Sequence, residues 1–127
     1  MEIANVIEKL NEIKDDELKD LLKEYIKIKD EISYLNDVLE DVEMLIESIE
    51  HIKRDTTAIK AIIPKLSKYT NIPMFNDLIK MIDYVDSVET SEIEALRWKI
   101  NKDIEELEEK LSMLEKEINI RLREKFL

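Results

Sequence analysis

Apolar residues recur every three or four positions over most of the chain, and the longest unbroken run of that pattern lies between Leu18 and Ile49. Leu18, Tyr25, Ile32, Leu39 and Ile46 fall seven apart, and Leu21, Ile28, Leu35, Val42 and Ile49 each follow three residues later. These are the a and d positions of five heptads without a polar substitution, the spacing of a coiled-coil seam. The pattern predicts a long helix over 16–53. In its second half Val38, Leu45 and Ile52 add an apolar g column, which widens the stripe enough to meet a second neighbour.

A second long helix is predicted over 91–126. Ser91-Glu92-Ile93-Glu94 has the form of a capping box, with Ser91 as the cap. Behind it Ile93, Ile100, Ile104, Leu107, Leu111, Leu114 and Ile118 line one narrow stripe, interrupted by Arg97. Arg121 and Lys125 take seam positions near the end, where Leu122 and Phe126 shift the stripe by one residue. A narrow stripe implies one principal partner helix. Antiparallel pairing of the two long helices within the chain sets Leu39 beside Leu107 or, one heptad over, Ile100.

Two shorter segments complete the pattern. Ile3, Val6, Ile7, Leu10 and Ile13 share one face of a short helix within 1–14, and their phase does not continue into Leu18. A break is expected there, with Asp15 or Asp16 capping the next helix. The stretch 55–90 reads as a helical insert. Pro64 lacks an amide donor and clashes with the carbonyl four residues back, which predicts an end or kink near Ile63. Thr70-Asn71-Ile72-Pro73 is a turn, with Pro73 suited to the first position of a helix. That helix carries Phe75, Leu78, Ile79, Ile82 and Val85 on one side, and Met74, Met81, Tyr84 and Val88 extend its apolar arc. So wide an arc predicts burial between two surfaces, with the insert packed on the widened half of the first long helix, from Val38 to Ile52.

The fold expected is all-α: a single domain over 1–127, built as a long antiparallel coiled-coil hairpin with a short helical insert at its tip. Composition agrees. Among 127 residues there is no Gly, no Cys and only two Pro, with charged residues at 40% and hydrophobic ones at 44%. A chain without Gly has no phosphate-cradling loop, and one without Cys has neither a disulfide framework nor a zinc knuckle. Abundant Lys, Glu and Ile give the chain a thermophile-like composition. No apolar run reaches the roughly 20 residues of a membrane span. The N-terminus lacks the pattern of a signal peptide, so a cytoplasmic location without a membrane partner is expected.

Candidate chemistry is sparse. His51 is the single histidine, at an outward position with Ser48 where a helical metal site would want a Glu. No Ser has a base at an identifiable spacing, and acids on a solvated helix face are not tuned acids. No catalytic residue, metal site or cofactor is expected, and the chain reads as a non-enzyme.

Charge is distributed in blocks. The net charge is -11, and 30–50 holds eight acids and no base. Asp37, Glu40, Asp41 and Glu47 mark this acidic face, which reads first as a solubilising surface and otherwise as a docking face for a basic partner. Lys53, Arg54, Lys60, Lys65 and Lys68 follow against Asp55 alone, with Thr56, Thr57 and Tyr69 interleaved. They are candidate anion contacts, but the overall field opposes tight direct binding of nucleic acid. Trp98 either packs against the insert or anchors a partner. The apolar columns Val38–Leu45–Ile52 and Met74–Met81–Val88 must be covered by the insert or by another chain, and with Trp98 they form the candidate interaction surface. The function expected is a non-enzymatic interaction module, an assembly subunit or adaptor that associates with itself as a homodimer or higher oligomer. The alternative is an acidic regulator that occupies a basic nucleic-acid-binding surface of another protein.

Overall fold

The computed structural model describes residues 2–126, and side chains through residue 124. The described residues form helices and no strand: α1 (Ile3–Glu8), a 3₁₀ turn at Leu10–Glu12, α2 (Asp16–Tyr69), α3 (Pro73–Ser87) and α4 (Ser91–Phe126). The architecture is an all-α helical hairpin bundle, and two compact units divide it, Met1–Leu39 with Lys99–Leu127 and Glu40–Trp98.

In the first unit α2 runs antiparallel to α4. Tyr25 Oη donates to Glu115 Oε1 at 3.2 Å, and eight residues back along α2 the Arg121 guanidinium donates to Glu17. A step of eight along one helix is thus matched by a step of six the opposite way along the other. Leu18 (1% exposed), Leu22 and Ile118 (both 0%) are the centre of the core, with Val6, Tyr25 and Leu122 around them. The face of α1 predicted to be apolar packs here as a third helix, since Ile3, Ile7, Leu10 and Ile13 all touch this cluster.

That third helix explains a departure from the heptads. Leu22 lies outside the predicted seam yet is fully buried, while Leu21, in the seam, is only half-buried. Burial follows the angle between two neighbours, α1 and α4, rather than the line facing one. The break before α2 is where it was predicted. Asp15 Oδ1 accepts the amides of Glu17 at 3.1 Å and Leu18 at 3.2 Å, so Asp15 is the cap. At the start of α4 the Glu94 amide donates to the Thr90 carbonyl at 2.9 Å, and the Thr90 hydroxyl, rather than that of Ser91, donates to Glu94 Oε1 at 3.5 Å. The expected seam roles of Lys125 and Phe126 lie outside the described side chains.

In the second unit α2 passes through Pro64 and runs to Tyr69, so of the end or kink expected near Ile63 the end does not occur. A proline inside a helix forfeits one hydrogen bond and strains the turn before it, at about 3 kcal/mol. Burial of Ile63 against Phe75 and Ile82, with Leu78 beside them, offsets much of that, at roughly 2–3 kcal/mol per large aliphatic side chain. Helical bonding resumes beyond it, and the Thr70 amide donates to the Leu66 carbonyl at 3.0 Å. After the turn, Pro73 occupies the first helical turn of α3 as predicted.

Candidate functional site

The second unit has few apolar side chains buried and many in water. Among the described residues, fifteen of the eighteen exposed large hydrophobics lie within Glu40–Trp98. The insert therefore does not cover the widened half of α2: it packs on Ile63 instead, leaving Leu45 at 48% and Ile52 at 49% exposure. Because α2 does not stop, the g column runs on at the same seven-residue spacing through Ile59 and Leu66, both exposed. Val38, at the start of that column, is half-buried. Met74 and Met81 on α3 are exposed as well, as is Val88 just past its C-terminal end.

Both columns lie on one side of the α2–α3 pair. Ile63 meets Phe75 and Ile82, and Lys60 Nζ lies 3.7 Å from Asp83 and 3.8 Å from Asp86. These contacts fix an antiparallel pair whose seam holds Lys60 and Ile63 on α2 and Phe75, Leu78 and Ile82 on α3. At about 100° per residue, Ile59 and Leu66 on α2 and Met74 and Met81 on α3 each stand roughly 70–90° from their own seam line, on the g side. In an antiparallel pair the two g columns flank the same side, and Asp83 and Asp86 hold Lys60 from the other. The register brings Ile59 near the level of Met81 and Leu66 near that of Met74. The result is a two-column apolar ladder on one flank and an ion-pair flank opposite.

The other sequence candidates separate from this surface. Trp98 is 64% exposed. Asp37, Glu40, Asp41 and Glu47 are all exposed. The five cations do not converge: Lys53 is half-buried, Lys60 is held by the two α3 carboxylates, and Arg54, Lys65 and Lys68 stand exposed along α2. The Thr56 and Thr57 hydroxyls both donate to the Lys53 carbonyl at 2.9 Å, so neither is presented to an anion. His51 Nε2 lies 3.6 Å from Asp55 at the surface. Among the described residues no three His, Asp or Glu side chains group to hold a metal ion, and no helix is long and apolar enough to cross a membrane. In the first unit, the hydrogen bond that Arg121 donates to the Glu17 carboxylate raises the Arg121 pKa above its ordinary value. It remains a cation at any working pH.

Five of the seven ladder residues are legible in the sequence. Ile59 and Leu66 went unread because the long helix was expected to end at Lys53, although their spacing from Ile52 carries the signal.

No family model matches the chain, and no solved structure matches it. An uncharacterized protein of Methanocaldococcus jannaschii is 53% identical over 103 residues, which make up 81% of this chain and 63% of that protein. The chain thus spans less than two thirds of the length of the curated relative it matches.

Proposed function

We propose that the protein is a non-enzymatic helical interaction module, an assembly subunit or adaptor that associates with itself through the second unit. One observation carries this reading: the exposed large hydrophobics are concentrated in Glu40–Trp98 and ordered there at heptad spacing. Single exposed apolar residues are ordinary, whereas a contiguous ordered patch marks an interaction face. A comparison inside the chain supports the same reading. In the first unit a third helix, α1, fills the side of the α2–α4 pair, and among the described residues the fourteen buried hydrophobics are divided nine to five in that unit's favour. The second unit's own helices leave the equivalent side open.

The test is sedimentation equilibrium across concentration and salt. Mass rising from 15.1 kDa toward twice that value, and rising more readily at high salt, is the expected result. Two copies at -11 each repel, and salt screens that repulsion without weakening apolar contact. A monomer at all concentrations up to about 100 μM, roughly a hundred times the Kd of a micromolar complex, would refute self-association.

A further inference from the structure

We infer that two copies of this chain close a four-helix bundle through their apolar ladders, with α2 of each copy lying against α3 of the other. The inference rests on the self-association reading and specifies its geometry. A pair of antiparallel helices with an apolar face on one flank is half of such a bundle, and an identical half completes it. The area fits. Seven ladder side chains, each between 37% and 65% exposed, offer on the order of 500 Å² of apolar surface per copy, which suits an interface of about 800 Å² per partner that is about 65% apolar.

Two twofold arrangements superimpose the full ladders. In one the axis lies across the helices and sets α2 against the partner's α2, so that Ile59 meets its own copy. In the other the axis runs along the helices and sets α2 against the partner's α3, so that Ile59 meets the partner's Met81. Charge selects the second. The stretch 53–68 has five bases and one acid, whereas 71–96 has six acids and one base. The first arrangement stacks the basic stretch of α2 on itself; the second lays it beside the acidic stretch of the other copy. These charges lie mostly around the outer arcs of the helices, so they choose orientation through their summed field.

Because the chain has no cysteine, single-cysteine variants at exposed ladder positions report the arrangement directly. A disulfide needs Cα atoms within about 7 Å, and diagonal helices of a four-helix bundle exceed that distance. The experiment oxidises Ile59→Cys alone, Met81→Cys alone, and the two mixed, with Met113→Cys on the first unit as a collision control. The proposal expects a crosslinked dimer in the mixture at least ten times more abundant than in either variant alone. Crosslinking of Ile59→Cys and Met81→Cys each with itself, with little in the mixture, would establish the other arrangement and overturn the proposal while leaving self-association standing. Crosslinking at the control level throughout, with the mass still doubled by sedimentation, would overturn the ladder as the interface. A monomer by sedimentation would overturn both the proposal and the reading beneath it.

Discussion

Leu21 and Leu22 are adjacent, equally apolar and differently placed: the heptads select Leu21, and the core selects Leu22. The heptad reads a helix against one partner, whereas α1 adds a second and turns the buried direction toward the bisector of the two. Leu22→Ala is therefore expected to cost about 3–4 kcal/mol through the cavity it leaves. Leu21→Ala, already half in water, is expected to cost about 1–2 kcal/mol, within the ordinary range for single substitutions. Chemical denaturation of both variants measures the difference, and equal losses would mean α1 does not cover this side of α2. Asp15→Ala is expected to lose about 1 kcal/mol, because the amides of Glu17 and Leu18 lose their acceptor. Residue-scale features of this kind are legible when they are local. The sequence narrowed the cap to Asp15 or Asp16, and Asp15 takes it. Burial set by a third helix was not readable, because it depends on where α1 folds back.

At the scale of elements, α3 and α4 begin and end close to where their periodicity and turn residues predict, whereas the end of α2 does not. Pro64 has a strong local preference to stop a helix, and the non-local packing of Ile63 on Phe75 and Ile82 overrides it. Sequence reads the preference and not the compensation. Pro64→Ala is accordingly expected to stabilise the protein by up to about 3 kcal/mol, since the packing remains and the missing hydrogen bond is restored. A melt at or below that of the parent would show that the chain at Pro64 is not helical. Ending the long helix at Lys53 truncated the candidate surface: a column read as Val38, Leu45 and Ile52 continues through Ile59 and Leu66 on the longer helix Asp16–Tyr69. The cations of this segment give a further expectation. With Lys60 held by Asp83 and Asp86 and Lys53 half-buried, two or three phosphate contacts would give a salt slope of only about 2–3. Mobility shifts with DNA and RNA at physiological salt should show no submicromolar complex; one abolished by Lys65→Glu would move the function toward nucleic acid.

For the molecule as a whole, the two units differ in how they satisfy their apolar surface. The first encloses it with three helices of its own, and the second presents it along one flank of a helix pair. The composition foretold a long-helix protein, and the leftover columns foretold that something must cover them, but only the packing of the insert on Ile63 established that the chain's own helices leave them exposed. The account stands on that exposed ladder being the contact between copies. The most direct test compares the solution mass of the parent with that of Ile59→Glu at one concentration where the parent is dimeric. Ile59 is exposed, so the variant should keep its fold and melting behaviour, while a buried, unpaired carboxylate at the interface weakens association at least tenfold. The expected result is a shift from about 30 kDa, twice the 15.1 kDa chain, to the monomer. An Ile59→Glu protein that remains dimeric at the parent's concentration would contradict it.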